Sequence, residues 1–304
     1  MRIVVSGSTG LIGAPLVDAL QQRGDQVVRL VRAPHAAGLP GTLLWDPERG
    51  TIDRAGIEGF DSFIHLSGEN VFGRWSAAKK QRIRDSRVQS TRLISDTIAQ
   101  LAKRPGVLLA ASAIGYYGDQ GATALTERSP AGNDFLASVA REWEAATGSA
   151  ARAGVRVVNM RFGVVLTPHE GALGKMLPPF RLGLGGPVGS GSQYVSWIER
   201  GDLIRAILHL LDRSDLAGPV NMTAPTPVTN RELATTLGNV LHRPSLMPVP
   251  SFALKMAFGA EGAEMLQSGQ RVLPERLGAS GFTFRFATLE PALRHLLAAS
   301  DSGP

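Results

Sequence analysis

A β-branched run passes directly into three regularly spaced glycines near the start of the chain: Ile-Val-Val-Ser-Gly-Ser-Thr-Gly-Leu-Ile-Gly, residues 3–13. A strand, a glycine turn and a helix start in this order form the arrangement that binds a dinucleotide pyrophosphate. Gly7 permits the tight turn, Gly10 lets the main chain approach the phosphates, and Gly13 lets the helix pack closely against the strand. Free N–H groups at the helix start face the anion. The stretch predicts a dinucleotide cradle; a tight turn without a ligand is the alternative.

The predicted cradle includes the residues between its glycines, Thr9, Leu11 and Ile12. A second apolar strand, 27–31, follows at the distance typical of a βαβ unit. NAD-selective sites place Asp or Glu at the end of that strand, where the carboxylate accepts from ribose hydroxyls. This chain has Arg32 there with no acid nearby, and a guanidinium can bind a 2′-phosphate as a fork. The sequence therefore predicts NADP(H) as the cofactor; the alternative for Arg32 is an ordinary solvated side chain.

Strands and helices continue to alternate along the first half of the chain. Apolar segments at 60–66, 107–111 and 155–161 have the pattern of buried parallel strands, and helical patterns at about 76–102 and 133–148 separate them. This alternation predicts an α/β fold with a Rossmann-like doubly wound parallel sheet. Because small residues at a strand end let a cofactor lie across it, Leu66, Ser67 and Gly68 are expected to border the nicotinamide ribose.

We predict two domains: an NADP-binding Rossmann-like domain over 1–166, and a smaller, mostly helical substrate-side lobe over 167–304. A late strand near 218–224 is expected to return to the first domain, and a small C-terminal domain is expected to begin at about residue 250. The Gly- and Pro-rich stretch 168–193 has interleaved apolar residues, which favours a shaped binding loop over a plain surface loop. Further along, Asn230 has the residue type of a helix N-cap.

The composition is that of a globular protein, because 43% of the residues are hydrophobic and 19% are charged. The chain has no cysteine, which excludes disulfides, a thiol nucleophile and a cysteine metal site, and we predict no metal site. No apolar run approaches membrane-spanning length, and the first strand starts too early to follow a signal peptide. We therefore expect a cytoplasmic protein without a membrane partner.

A formal net charge of +6 raises the question of nucleic-acid binding. The densest basic group lies on one predicted amphipathic helix and the turn before it: Arg74, Lys79, Lys80, Arg82, Arg84, Arg87 and Arg92. No recognised nucleic-acid-binding motif accompanies these residues. A basic cleft for an anionic cofactor accounts for the charge more economically, so we expect no nucleic-acid partner.

Several blocks of the sequence resemble one family. The glycine triad, the stretch Leu66-Ser67-Gly68-Glu69-Asn70 and residues 112–118 look like an extended short-chain dehydrogenase/reductase of the sugar-nucleotide epimerase type. Further blocks resemble the atypical epimerase-like branch with its own small conserved C-terminal domain: Gly68-Glu69-Asn70, Arg161–Leu166, Pro179–Pro187, Trp197-Ile198 and Gly269–Pro274. The resemblance covers essentially the whole chain.

This resemblance implies a Rossmann-like core with bound NADP(H). By the family's pattern, Arg32 meets the 2′-phosphate, and Leu66 and Ser67 line the dinucleotide. Arg87, on the long basic helix, contacts the dinucleotide as well. Val165, just past the strand that ends at Arg161, lies near the nicotinamide.

The family's usual catalytic pair is missing from this chain. A standard member has a Tyr and a Lys four residues apart on the same face of one helix. The Lys ammonium lowers the pKa of the Tyr phenol, and the Tyr transfers a proton when the hydride is transferred. Phe135 and Val139 stand at those positions, and none of the three tyrosines has a Lys four residues later. The place of the family's substrate-polarising serine falls on Ala113, with Ser112 beside it.

Two functions of different class follow, with the substrate, the direction of hydride transfer and the oligomeric state left open. The first is an NADP(H)-dependent oxidoreductase or epimerase-like enzyme acting on a small molecule. Its candidate proton donors are Tyr116 and Tyr117, assisted by Ser112, although aromatic residues at strand ends usually pack. The second is a non-catalytic NADP(H)-binding sensor or scaffold protein, which the loss of the Tyr and Lys would also fit.

Overall fold

The computed structural model describes residues 1–32 and 39–301, which form fourteen strands and ten α-helices. The strands are β1 (Arg2–Ser6), β2 (Gln26–Val31), β3 (Thr42–Asp46), β4 (Thr51–Ile52), β5 (Ser62–His65), β6 (Val107–Ala113), β7 (Ala124–Leu125), β8 (Arg156–Phe162), β9 (Val164–Leu166), β10 (Tyr194–Val195), β11 (Trp197–Glu199), β12 (Gly218–Met222), β13 (Val228–Thr229) and β14 (Arg271–Val272). The helices are α1 (Gly13–Gln22), α2 (Ala77–Gln100), α3 (Phe135–Ala145), α4 (Gly148–Arg152), α5 (Gly171–Arg181), α6 (Arg200–Asp212), α7 (Asn230–Leu241), α8 (Ser251–Gln267), α9 (Glu275–Ala279) and α10 (Leu289–Asp301).

The main sheet has the strand order β12-β8-β6-β5-β1-β2-β3-β4. Its neighbouring strands pair in parallel, except β3 with β4, which are antiparallel. The strand order reverses between β1 and β5, and ligands of open α/β sheets bind at such a switch point, outside the carboxyl ends of the strands. The predicted doubly wound parallel sheet is confirmed, and its switch point lies at the predicted cradle.

Helices cover both faces of the sheet because successive side chains of a buried strand point to opposite faces. Ile3 and Val5 of β1 belong to one apolar cluster, which also contains Leu16 of α1. Val4, between them, belongs to the cluster on the other face, which contains Ile94 of α2. This double burial explains why the strand has a continuous apolar run.

The second half of the chain contains an apolar cluster of its own, to which α5, α7 and α10 contribute. The predicted binding loop at 168–193 is wrong in part, because α5 occupies Gly171–Arg181 despite Pro178 and Pro179 inside the helix. Leu173, Leu177 and Phe180 of α5 are buried at helical spacing. Burying this stripe outweighs the backbone hydrogen bonds that the two prolines cannot make.

The predicted N-cap of α7 is wrong by one residue. Thr229 is the cap: its hydroxyl accepts from the N–H of Glu232, and the Glu232 carboxylate accepts from the N–H of Thr229, which makes a capping box. Asn230 is instead the first helical residue, and its side-chain oxygen accepts a hydrogen bond from the N–H of Val188 at 2.7 Å. Asn230 therefore anchors the glycine-rich loop after α5 rather than the helix end.

The segment after α8 returns to the first half of the chain. β14 pairs in parallel with β7. The buried Ser196 hydroxyl donates to the carbonyl of Gln270 at 2.7 Å and accepts from the N–H of Val272 at 2.8 Å. Asn221 of β12 donates to the carbonyl of Leu273 at 3.0 Å. These contacts fasten the C-terminal segment to the edge of the main sheet; the predicted domain boundary at residue 166 stays a prediction.

Candidate functional site

The three motif glycines form a compact turn between β1 and α1. Gly7 has a φ of +70°, a left-handed conformation that favours glycine, and a Cβ there would lie 2.8 Å from the carbonyl carbon of Leu66. A Cβ on Gly13 would lie 2.0 Å from the Gly7 oxygen, so the helix start lies directly against the turn. Gly10 is exposed, and a Cβ there would meet only the Gly7 oxygen, at 3.5 Å. The turn is closed at its base and open at Gly10.

The open face of this turn presents main-chain donors. The N–H groups of Leu11 and Ile12 make no hydrogen bond with any residue that the structure describes, whereas that of Gly10 donates to the Gly7 carbonyl at 3.2 Å. Thr9 is exposed beside them. Orphan donors at the start of a helix, with the positive end of its dipole, form an anion site.

The loop after β5 forms the second wall of the site. Leu66 and Ser67 are half-buried against Gly7, and Gly68 is exposed. A Cβ on Gly68 would lie 3.5 Å from the guanidinium carbon of Arg87, so the loop passes directly over this side chain. The sequence-predicted residues 7–13, 66–68 and Arg87 therefore surround one edge of the sheet.

Arg87 of α2 is a half-buried guanidinium with no ion pair to any described carboxylate. Its Nη1 donates to the carbonyl of Ile83 at 3.0 Å, and its guanidinium carbon lies 5.1 Å from the centre of the Trp143 ring. Burial lowers the pKa of Arg87 to about 10, and the charge of Glu69 partly opposes this shift. Because Glu69 is paired with Lys79 at 2.6 Å, Arg87 is a cation suited to an anionic ligand.

Arg32 is the first residue after β2 and is exposed. It makes no hydrogen bond or ion pair with the described part of the chain. Its place directly after β2 puts Arg32 at the carboxyl edge of the sheet, and no described carboxylate pairs with its guanidinium. The contact of Arg32 with a 2′-phosphate stays a prediction.

Val165 lies in β9, which pairs with β11 rather than with the main sheet. A Cβ on Gly171, the first residue of α5, would lie 3.6 Å from the carbonyl oxygen of Val165 and 4.0 Å from the side chain of Leu11. The start of α5 therefore lies between Val165 and the glycine turn. A contact of Val165 with the nicotinamide stays a prediction.

Tyr117 is fully buried in the short 3₁₀ turn Ile114–Tyr117 after β6. Its hydroxyl donates to the side-chain oxygen of Asn221 at 2.7 Å and accepts from Nη1 of Arg161 at 2.9 Å. Burial raises the pKa of the Tyr117 phenol to about 12, although Arg161 opposes this shift. Both hydrogen-bonding roles of the hydroxyl are taken, and the environment disfavours loss of its proton.

Ser112 is also buried, and its hydroxyl donates to Oε1 of Glu144 at 2.7 Å. The same carboxylate receives two hydrogen bonds from Arg161, from Nε at 2.7 Å and from Nη2 at 2.8 Å. Although burial opposes the charged form, Glu144 raises the pKa of Arg161, so the guanidinium stays charged. The Ser112 hydroxyl is thus a hydrogen-bond partner of the buried ion pair between Arg161 and Glu144.

Tyr116 differs from both of these residues. It is half-buried, and its hydroxyl makes no hydrogen bond with a described residue. The face of its ring lies 3.5 Å from the guanidinium carbon of Arg161, and its edge packs against Tyr117 at a centroid distance of 5.4 Å. The ring is held firmly while the phenol oxygen is left without a partner among the described residues.

The positions of the family's Tyr and Lys hold apolar side chains in the structure. Phe135 begins α3; its ring packs edge-on against Trp75 at a centroid distance of 5.5 Å, and the Lys80 ammonium lies 4.8 Å from the ring centre. Val139 is buried. The cation beside this position thus comes from α2 and not from α3. Neither Phe135 nor Val139 can carry a proton.

Sequence reasoning missed the ion pair between Arg161 and Glu144 and the role of Asn221. A charged residue at the end of the buried strand β8 was a usable signal, because such a charge needs a partner. Its partner lies on α3, which only the fold brings close. His65, the last residue of the apolar strand β5, is buried and hydrogen-bonded to Ser6 and Ser90.

Within residues 1–32 and 39–301, no group of three or more His, Asp or Glu side chains is placed to hold a metal ion. No helix in the described part of the chain is both long and apolar enough to cross a membrane.

Comparison with known proteins places this geometry in context. Residues 3–222 match the model of the NAD dependent epimerase/dehydratase family, and residues 249–296 match a domain of unknown function, DUF1731. The chain is 41% identical to the epimerase family protein Mb2239 of Mycobacterium bovis, with 96% of each chain covered. It resembles the crystal structure of human epimerase family protein SDR39U1 with NADPH at 36% identity and a TM-score of 0.89, covering 98% of this chain and 99% of that one. The structure of MoeE5 with UDP-glucose and NAD is 19% identical with a TM-score of 0.77, over 99% of this chain and 100% of that one, and shares the fold.

Proposed function

Because this chain belongs to the NAD dependent epimerase/dehydratase family, we propose that it binds NADP(H) at the glycine turn and acts as an oxidoreductase or epimerase-type enzyme on a small molecule. The observation that carries the proposal is the pair of N–H groups at Leu11 and Ile12, unpaired within the described chain, which lie beside the exposed Gly10. These donors fit a pyrophosphate. The solved human relative, whose structure contains NADPH, supports the same interpretation.

The choice of NADP(H) over NAD(H) depends on Arg32. Its exposed guanidinium, unpaired within the described chain, can form charge-assisted hydrogen bonds with a 2′-phosphate, whereas the carboxylate of NAD-selective sites would repel that group. Arg87 contacts the dinucleotide from α2. MoeE5, whose structure contains NAD, shares only the fold with this chain and does not bear on this choice.

We expect the Arg32→Asp variant to weaken NADPH binding about 100-fold, because two charge-assisted hydrogen bonds are lost and a repulsive charge is added. NADH lacks the phosphate, so its affinity should change by no more than about threefold. Isothermal titration calorimetry with both dinucleotides measures the difference. Arg49→Asp makes the same charge change at an exposed turn and should alter neither affinity. Equal losses for both cofactors in Arg32→Asp would contradict the phosphate role.

Held by the N–H groups of Leu11 and Ile12 and by Arg32 and Arg87, NADP(H) would supply hydride chemistry, in which two electrons pass to or from a substrate carbon. Tyr116 donates the proton that a substrate carbonyl oxygen needs when the carbonyl is reduced, and its phenolate regains a proton from solvent; in the reverse direction the phenolate accepts that proton. Tyr116 suits this role because its ring is fixed against Arg161 while its hydroxyl is unpaired among the described residues. Tyr117 and Ser112 hold the surrounding structure, since their hydroxyls are bonded to Asn221 and Glu144.

We expect the Tyr116→Phe variant to lower turnover about 100-fold, the usual contribution of general acid catalysis, with unchanged NADPH affinity. The Tyr117→Phe variant should keep its turnover but lose about 1–2 kcal/mol of stability, because the buried Asn221 oxygen loses its donor. The assay follows NADPH absorbance with a panel of sugar nucleotides, aldehydes and ketones, and thermal denaturation measures stability. Unchanged turnover in Tyr116→Phe would remove Tyr116 as the proton donor.

One observation favours the second function, a non-catalytic NADP(H)-binding sensor or scaffold. Phe135 and Val139 replace the family's proton-transfer pair: Phe135 packs edge-on against Trp75, Val139 is buried, and neither side chain can carry a proton. Tight NADPH binding with no turnover of any compound in the panel would favour this function. The cytoplasmic location and the lack of nucleic-acid and membrane partners stay predictions from the sequence.

A further inference from the structure

His65 forms a buried hydrogen-bonded group with Ser6 and Ser90, which we call the histidine cluster. Nδ1 of His65 lies 2.5 Å from the Ser6 hydroxyl, and Nε2 lies 3.1 Å from the Ser90 hydroxyl. Each of the three residues is only about 1% exposed. The ring of Trp45 packs edge-on against the imidazole at a centroid distance of 6.0 Å. The cluster is therefore buried, and each ring nitrogen of His65 has a hydroxyl partner.

The bonds of Ser90 determine the tautomer of the imidazole. The Ser90 hydroxyl lies 2.6 Å from the carbonyl of Ser86 and 3.2 Å from that of Arg87, and a carbonyl can only accept. The single hydroxyl proton is thus used there, so the Ser90 oxygen accepts from the Nε2–H of His65. Nδ1 then carries no proton and accepts from the hydroxyl of Ser6.

Each member of the cluster borders a different part of the candidate dinucleotide site. Ser6 ends β1 and directly precedes Gly7, while His65 ends β5 and directly precedes Leu66. Ser90 lies on α2 one turn after Arg87, whose carbonyl it contacts. The neighbouring Ser86 hydroxyl accepts from the N–H of Glu69 at 2.9 Å, which fastens the loop after β5 to the same turn of α2. His65 thus connects the three walls of the candidate site, which are the glycine turn, the loop after β5 and the turn of α2 that carries Arg87.

The distance between the glycine turn and the loop after β5 can change little, because the two are in close contact. Gly7 packs so closely that a Cβ would lie 2.9 Å from the N atom of Ser67. A shift of β5 relative to β1 would therefore move the loop 66–68 into the glycine turn or away from it. Arg87, which faces Gly68, would move with α2.

We propose that His65 is a positioning residue for the dinucleotide, which holds the glycine turn, the loop 66–68 and the turn of α2 carrying Arg87 at their mutual distances. This inference rests on the proposed function, since it assumes that these walls bind a dinucleotide. Burial lowers the pKa of His65 to about 3, so the imidazole is neutral at physiological pH. His65 acts through geometry and takes no part in proton transfer.

The test uses Ser6→Ala and Ser90→Ala, each of which removes one hydrogen bond of the cluster, together with His65→Leu. We expect each serine variant to weaken both NADPH and NADH about tenfold in calorimetry, the equivalent of one buried hydrogen bond. The equal loss for both cofactors distinguishes positioning from the phosphate contact of Arg32. Ile64→Val removes one methylene group from the same strand and should lower the unfolding midpoint without changing either affinity.

In the unliganded protein, nitrogen NMR of the His65 ring should show the proton on Nε2. Serine variants with wild-type affinities would overturn the positioning role, as would a proton on Nδ1. If His65→Leu does not fold, the serine variants decide the matter. A wild-type protein that binds neither dinucleotide would instead refute the proposed function, and the positioning role would fall with it.

Discussion

The Gly13→Ala variant is expected to lose NADPH binding by at least about 100-fold and about 2 kcal/mol or more of stability, because overpacking at a rigid contact costs free energy. The added Cβ would lie 2.0 Å from the oxygen of Gly7 and 2.9 Å from the Cα of Ser8. Both are main-chain atoms of the turn and cannot move as a flexible side chain would. The start of α1 must therefore shift away from β1, which pulls the N–H groups of Leu11 and Ile12 out of line.

Two other glycine-to-alanine variants control for this result. A Cβ on Gly278 in α9 would meet no described atom within 4 Å, so Gly278→Ala should leave NADPH affinity unchanged and stabilise the helix by about 0.5–1 kcal/mol. Gly10→Ala meets only ordinary contact and should fold normally, yet it should weaken NADPH because the methyl group enters the phosphate face. Calorimetry and chemical denaturation measure both quantities. Wild-type affinity in Gly13→Ala would contradict the described turn.

The Arg161→Met variant is expected to destabilise the protein by about 3–5 kcal/mol, the usual cost of leaving a buried charge without its partner. The side chains of Arg161 and Glu144 are only 3% and 12% exposed. Removing the guanidinium leaves the Glu144 carboxylate with the Ser112 hydroxyl as its remaining side-chain partner in the described chain. Tyr116 also loses the cation against its ring and Tyr117 loses a donor.

Chemical denaturation of matched variants tests this explanation. The double variant Arg161→Met with Glu144→Gln should recover part of the loss, because no unpaired charge is then buried. Arg294→Met removes a similar ion pair with Glu290, but both side chains are 55% exposed, so the change should stay within about 0.5 kcal/mol. If the double variant is no more stable than Arg161→Met alone, the buried carboxylate is not the cause.

The sequence predicted the sheet and the glycine turn well because their signals are local. Gly7, Gly10 and Gly13 lie within one turn and one helix start, so their spacing already fixes which atoms meet. The predicted strand at 155–161 is observed at Arg156–Phe162. Arg87 was predicted as a dinucleotide contact only from the family resemblance. No local sequence pattern indicates that it lies against Gly68.

The tyrosine network could not be predicted in the same way. Arg161 meets Glu144 because β8 pairs with β6 and α3 packs against the end of β6, and Tyr117 meets Asn221 across 104 positions of sequence. The helix α5 was not predicted for a different reason: Pro178 and Pro179 indicate a loop, although Leu173, Leu177 and Phe180 have helical spacing. The prediction gave more weight to the Gly and Pro content of this stretch than to the helical spacing of its apolar residues. In the folded chain, burial of those apolar residues stabilises the helix.

The pairing of β14 with β7 limits how this architecture can change in evolution. A gene truncated before residue 269 would leave the polar groups of Ser196 and Asn221 without the acceptors they have now. Recombination that replaced the C-terminal part with an unrelated domain would leave the same polar groups without acceptors. The replacement would have to supply an equivalent strand and equivalent carbonyl groups. Since Asn221 also holds Tyr117, we expect the two parts of the chain to be inherited together.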